Sequence, residues 1–245
     1  MRRMCGRFVV AKAASELIAE FDVELEGEEL PEPSYNIPPT SRIPIILDAV
    51  PRGAGEGAEP ARRLEAAKWG LVPSWAKDPS VGVRSFNARS ETAASKPTFR
   101  SAVRQRRAMI PATGYYEWRK HPDGSKTPHF IRPADGSTLP MAGLYEWWRD
   151  PEAGEDASWL LSATILTRTS AGHLAEIHDR MPVFLDRREL AEWLDPRARD
   201  AEGLLAAVAA KGEEVAETLE AIIVGPEVGN VRAQGPSLIE PAEGR

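Results

Sequence analysis

Apolar positions fall at helical spacing near the start of the chain, where Leu17, Ile18 and Phe21 share a face and Ser15 offers an N-cap, predicting a helix over 15–21. Further along, the pattern shortens to strand-like runs: 43–47, 67–71, 108–118, 129–132, 141–147, 159–167 and 183–185. Turn signals such as Pro122-Asp123-Gly124 and Ala134-Asp135-Gly136 separate them. The Pro-rich stretch from Pro31 to Pro39 reads as loop, and 51–63, rich in Gly, Ala and charge, as an exposed insertion. Helices are predicted over 188–194 and 201–211, a strand over 219–224, and a flexible tail over 236–245.

No internal repeat appears, and no Pro/Gly linker divides the chain into self-sufficient halves. The pattern predicts one compact α+β domain with a mixed, mostly antiparallel, barrel-like sheet core flanked by helices. At 245 residues the chain is long enough to bury a substantial core. No run has the apolar length that spans a bilayer and no signal peptide opens the sequence, so a cytoplasmic protein is expected; a monomer is expected as well.

Charge changes the picture. The net charge of −6 argues against indiscriminate coating of nucleic acid, but the acids are unevenly placed. Between Ser15 and Ser41 lie eight acidic residues and no Lys or Arg, whereas Arg84, Arg89, Lys96, Arg100, Arg104, Arg106 and Arg107 face Glu91 alone. Such a run is as often a solvated face as a binding groove. Phe86 and Asn87 lie inside it, and aromatics interleaved with arginines suit single-stranded DNA, where bases stack and guanidinium groups track phosphates.

Four segments carry candidate chemistry. The single cysteine, Cys5, forms no internal disulfide and sits beside the terminus, where a core position is unusual. If residues 1–4 are absent from the mature chain, Cys5 unites a free amine (pKa about 7.7–8.0) with a thiol (about 8.5). A 1,2-aminothiol condenses with an aldehyde to an imine, and the thiol then closes a thiazolidine ring. The sequence begins Met1-Arg2-Arg3-Met4, so this chemistry requires either initiation at Met4 or removal of the four residues.

The second segment runs from Trp69 through Trp75 to Asn87 and Arg89, where Asn87 can hydrogen-bond a sugar and Arg89 a phosphate. Both tryptophans fit a core equally well. In the third, Gly114-Tyr115-Tyr116-Glu117-Trp118, burial would raise the Glu117 pKa toward acid–base use, unless an arginine pairs with it. The fourth, Glu176-Ile177-His178-Asp179-Arg180-Met181-Pro182, holds a histidine suited equally to proton transfer and to bracing a turn. His121, His129 and His173 show only surface or loop placement. The four histidines are too scattered for a structural zinc site, and neither metal nor cofactor is expected.

Together with Tyr35-Asn36-Ile37-Pro38-Pro39 and Val228-Gly229-Asn230, these segments resemble the SOS-response-associated peptidase (SRAP) family of abasic-site shielding proteins, in order, over residues 5–235. The resemblance implies a barrel-like fold flanked by helices. It implies Cys5 as crosslinking nucleophile, with Asn87, Glu117 and His178 as the other active-site residues. Arg7 and Arg89 become phosphate contacts. Asn36, Pro39, Trp69, Trp75 and Trp118 become the surface on which the strand stacks or is wedged. The implied partner is single-stranded DNA with an abasic site, so the cytoplasmic protein is expected to be DNA-associated. Two other functions stay open: an N-terminal-nucleophile hydrolase, including self-removal of residues 1–4, and a non-catalytic single-strand binder.

Overall fold

The computed structural model describes residues 6–50, 53, 57–154, 158–198 and 200–242; Cys5 and residues 1–4 lie outside them. In chain order the first elements are β1 (Phe8–Val10), α1 (Ala14–Glu20), β2 (Leu25–Glu26), β3 (Ser34–Ile37), β4 (Arg42–Ala49) and β5 (Ala61–Trp69). Next come β6 (Asn87–Arg89), α2 (Ser90–Ala93), α3 (Arg100–Gln105), β7 (Arg107–Ala112), β8 (Gly114–Lys120), β9 (Lys126–Pro133) and β10 (Leu139–Arg149). The last are β11 (Trp159–Thr169), β12 (Arg180–Pro182), α4 (Leu190–Leu194), α5 (Ala201–Glu217) and β13 (Leu219–Ile223).

Five strands close a barrel. β5 pairs β4, β4 pairs β7, β7 pairs β10 and β10 pairs β11, all antiparallel; β11 returns to β5 in parallel at Ser162–Lys68 and Ala163–Trp69. Closure leaves the long central strands without free edges and accounts for their nearly continuous apolar sequence. Beside the barrel lies a second sheet in the order β13-β9-β8-β1-β3. The structure is a single α+β domain with a closed mixed barrel and flanking helices, as the periodicity predicts.

The run 108–118 is two strands rather than one. The chain leaves the barrel at Ala112 and enters the second sheet at Gly114. Thr113 fixes the crossing: its N–H donates to Val9 O (2.8 Å) and its Oγ1 accepts from Ala11 N–H (2.9 Å). A side chain at 114 is excluded, because a Cβ there would lie 2.5 Å from Ile131 O.

Other boundaries also shift. β3 lies inside the stretch read as loop; Pro33 and Pro38 bracket four residues that remain free to pair with β1, on the sheet's edge. β5 begins at Ala61, so the final residues of the expected insertion are strand. The α1 N-cap is Ala13, not Ser15; Glu16 Oε2 accepts the Ala13 N–H (2.8 Å), supplying half of a capping box. Within 183–185 the pairing is a single bridge, Met141 with Phe184. α5 continues past residue 211 to Glu217 because Leu204, Leu205, Val208, Gly212 and Ala216 stay on a buried face. Nor are residues 236–242 a free tail: Leu238 is buried and the Ala242 N–H donates to Ile223 O (2.9 Å).

Candidate functional site

One buried indole braces two of the chemical segments. Trp69 meets Phe8 edge-on (4.9 Å between centroids, 81°) and Phe86 likewise (5.9 Å, 89°). Its Nε1 donates to Phe86 O at 2.8 Å, and the same carbonyl accepts the Ile165 N–H at 3.1 Å. Phe86 directly precedes Asn87, while Phe8 opens β1. The start of β1 and the Asn87 strand therefore rest on one rigid contact set. β6 then runs parallel to Ile165–Thr167 of β11. At the mouth of this region Gly70 and Gly82 press together; a Cβ on Gly70, whose φ is 137°, would lie 2.5 Å from Gly82 O.

The His178 segment flanks the same half of β11 from its other edge, since β12 pairs with Thr167–Thr169. Arg180 reaches across to Glu91, just beyond β6, and donates also to Thr167 O (2.6 Å). His178 is positioned through Nδ1, which lies 3.1 Å from the Arg180 N–H and 3.2 Å from Asp179 Oδ1. These contacts demand opposite protonation of Nδ1. The backbone donor is the closest and is fixed in the chain, whereas Asp179 is exposed and the Arg180 carbonyl lies farther off, at 3.3 Å, so we assign Nδ1 as acceptor and the proton to Nε2.

Glu117 lies on β8 and is 4% exposed. It follows Tyr115 by two residues, and Tyr115 belongs to the main core, so both face the barrel. Phe8 pairs with Tyr115, and the Tyr116 N–H donates to Arg7 O at 2.9 Å. That antiparallel register directs Gly6 toward Glu117. Asn87 on β6 and His178 in the turn before β12 thus border opposite edges of β11, while Glu117 lies on β8 of the second sheet, next to β1. Cys5 lies just outside the described residues.

The residues implied as DNA contacts divide sharply. Trp75 is 64% exposed on the loop after Trp69, with Val81 and Val83 exposed on the following 3-10 turn Pro79–Arg84. Arg89 is exposed, as are Arg84, Lys96, Arg100 and Arg104. Trp118 and Pro39 are half-buried. Trp69 has no exposed surface, which corrects the expectation that it stacks on bases. Asn36 is also fully buried; its Nδ2 donates to Asn230 O (2.9 Å) and Ala233 O (3.2 Å), a role inside the fold.

Arg7 belongs to the same lock. Its Nη1 donates to Asn36 Oδ1 (2.7 Å) and Val228 O (2.9 Å), and its guanidinium lies 5.9 Å from the Trp118 ring. Burial lowers its pKa, opposed by the charge of Tyr116. Bonded this way, Arg7 joins β1, β3 and the Val228–Asn230 turn and is not presented as a free phosphate contact. Two of the seven cations in the basic run are structural as well. Arg106 pairs with buried Glu146 (2.8 Å), and buried Arg107 donates to Trp193 O, Val103 O, Arg104 O and Asp195 O.

Sequence reading missed His129. It is a buried strand residue, 7% exposed, not a surface one. The signal was its phase: His129 alternates with Phe130 and shares a face with Ile131.

No group of three or more His, Cys, Asp or Glu suited to a metal occurs among the described residues, and no described helix is long and apolar enough to cross a membrane. A cavity of about 1070 Å³ opens where β2, β5 and the start of β11 diverge, lined by Glu65, Lys68, Trp147 and Trp159. None of Asn87, Glu117 and His178 lines it, so size alone does not mark the chemical site.

Comparison with known proteins identifies the family and the fold. Residues 4–231 match the family model described as SOS response associated peptidase (SRAP). The chain is 34% identical over 240 residues to the abasic site processing protein YoqW of Bacillus subtilis, covering 97% of this chain and 99% of that protein. It is 32% identical to the abasic site processing protein YedK of Escherichia coli over 243 residues, covering 97% and 100%. Among solved structures, a Bacteroides thetaiotaomicron protein shares the fold with a TM-score of 0.76 at 23% identity, covering 97% of this chain and 100% of that one. The chain belongs to the SOS response associated peptidase (SRAP) family.

Proposed function

We propose that the protein processes abasic sites by binding single-stranded DNA and joining covalently to the lesion through Cys5. The observation that carries the reading is the aromatic brace Phe8–Trp69–Phe86, which ties β1, the strand that follows Cys5 in sequence, to the strand bearing Asn87, while β1 pairs with β8, the strand of buried Glu117. Relatives matching along nearly the whole chain are named abasic site processing proteins.

The open form of an abasic sugar exposes a C1′ aldehyde. The exposed cations from Arg84 to Arg104 hold the strand, Arg89 grips a flanking phosphate, and Trp75 and Trp118 meet the neighbouring bases. Holding the aldehyde beside Cys5 contributes several kcal/mol of barrier lowering. The Cys5 amine adds to C1′, water leaves to give an imine, and the thiol adds across the C=N bond to close a thiazolidine. The Nε2–H of His178 donates to the sugar oxygen as the ring opens, Glu117 moves protons during water loss and closure, and Asn87 hydrogen-bonds the adduct. The closed ring no longer contains the electron-withdrawing imine that promotes β-elimination, so the strand stays intact.

The test is incubation with a single-stranded oligonucleotide carrying one abasic site, followed by a denaturing gel, with intact mass establishing whether residues 1–4 are present. A heat-stable shifted band, absent in Cys5→Ala while noncovalent binding persists, supports the proposal. Binding without a covalent band in the wild type, amide turnover instead of crosslinking, or an active preparation that retains residues 1–4 overturns it.

A further inference from the structure

Glu117 on β8 and His129 on β9 are directly opposed across their antiparallel pair. Opposed residues share a face, with Cβ atoms about 4.5–5.5 Å apart. The preceding pair on that face is Tyr115–Ile131, both members of the main core, so the Glu117–His129 pair also faces the barrel. On its other side His129 meets Ile223 of β13. Both polar residues are buried: 4% exposed for Glu117 and 7% for His129.

The tautomer of His129 follows from one contact. Nδ1 lies 3.0 Å from Thr127 O. A carbonyl only accepts, so Nδ1 carries the hydrogen and Nε2 of the neutral ring is a bare acceptor. Burial lowers the imidazole pKa; the Thr127 hydrogen bond opposes this, and the charges of Arg119 and His121 reinforce it. β8 therefore presents Glu117 and Arg119 to His129, the hairpin turn presents His121, and β13 presents only Ile223.

We propose that His129 is a positioning residue for Glu117: its bare Nε2 accepts a hydrogen bond from the protonated carboxyl across one water, and so holds that carboxyl ready as the acid of the crosslinking reaction. The inference rests on the function proposed above. Of the two groups, only a protonated Glu117 has a proton to offer a bare nitrogen, and the pair then carries no net charge in a buried setting. Glu117 gives its proton to the carbinolamine hydroxyl as water departs and the iminium forms. The carboxylate recovers a proton from the Cys5 thiol as sulfur bonds to the iminium carbon, leaving a neutral thiazolidine. Between these steps Nε2 and the carboxylate are two lone pairs without a proton, which favours rapid recovery of the acid form.

The experiment measures single-turnover crosslinking of wild type, His129→Phe and His129→Gln to an abasic single-stranded oligonucleotide from pH 5 to 9. Phe keeps the ring volume without the acceptor; Gln retains an acceptor in Oε1. The rate lost on the alkaline side, where the carboxyl loses its proton, should begin about one pH unit lower in His129→Phe, a loss of about tenfold in rate on that limb. His129→Gln should restore the limb, and affinity for the same strand carrying a tetrahydrofuran abasic analogue should stay unchanged in both variants.

A His129→Phe profile that overlays wild type, or a folded His129→Gln that behaves like His129→Phe, overturns the inference alone. A wild type that forms no crosslink overturns it together with the proposed function. If His129→Phe fails to fold, infrared spectroscopy decides: wild type at neutral pH should show a protonated-carboxyl band that vanishes in Glu117→Gln, and its absence is fatal to the inference.

Discussion

Arg180 holds Glu91 with both terminal nitrogens, Nη1 to Oε1 at 2.5 Å and Nη2 to Oε2 at 2.9 Å. The two residues lie 89 positions apart in sequence. One follows the strand of Asn87 and the other follows His178, so a single bidentate pair sets the spacing of two chemical segments. Burial opposes ionisation of Glu91, but the hydrogen bonds and charge of Arg180 outweigh it and keep the carboxyl below its ordinary pKa.

Glu91→Gln should therefore destabilise the fold and slow crosslinking together. Arg180 is nearly buried while the Glu91 side chain is about half exposed. The cost belongs near the lower end of the about 1.5–3 kcal/mol typical of charged hydrogen bonds. A carboxyl with a depressed folded pKa contributes fully above its unfolded value and loses that contribution as pH falls through the folded one. In urea unfolding, the gap between wild type and variant should be constant near neutrality and close on acidification through the carboxylate range. A gap independent of pH would contradict the assignment.

Trp69 and Trp75 should behave oppositely although only five residues separate them. Trp69→Ala removes a fully buried ring and the Phe86 hydrogen bond, at a cost of about 3–5 kcal/mol. Trp75→Ala should alter stability by less than about 0.5 kcal/mol, because the ring is mostly in solvent. If bases stack on it, affinity for single-stranded DNA should fall by about 1–3 kcal/mol. Chemical denaturation and fluorescence anisotropy on the two variants separate these outcomes.

The buried lock makes a third prediction. Asn36→Ala leaves the Arg7 guanidinium and the carbonyls of Asn230 and Ala233 short of a partner, at about 1–3 kcal/mol. Arg7→Gln should cost a similar amount, and the double variant less than the sum, because the residues share one network. Additivity in a double-mutant cycle would show that Arg7 and Asn36 act independently.

How far the sequence reveals this arrangement depends on the kind of interaction involved. The barrel strands are legible because 43–47, 141–147 and 159–167 are apolar runs that must be buried on both faces. β1 is harder to read, since Phe8, Val9 and Val10 are all buried and show no alternation. β3 is hidden by its flanking prolines. Glu117 is visible in one dimension as a carboxylate interrupting an apolar run, whereas Asn87 lies inside a basic stretch and His178 in a polar turn, where the sequence alone does not separate chemistry from structure. Tryptophan composition does not separate buried Trp69 from exposed Trp75, because their difference arises from the packing of Phe8 and Phe86. The roles of Arg7 and Arg180 depend on partners 29 and 89 residues away, which no local pattern encodes.

Arg7 and Arg89 provide the sharpest contrast for DNA binding. Each phosphate neutralised on a single strand contributes about −0.7 to the slope of log affinity against log salt. Arg89 is exposed at the end of β6, whereas Arg7 donates to Asn36 and Val228 inside the fold. Arg89→Gln should reduce the steepness of that slope by about 0.7 at unchanged stability. Arg7→Gln should lower stability and leave the slope of the folded fraction as in wild type. Anisotropy titrations across a salt series, run well below the unfolding midpoint of each variant, measure both. A shallower slope in Arg7→Gln alone would mean that the guanidinium leaves its internal acceptors for phosphate when DNA binds, making the Asn36 contact a feature of the free protein only.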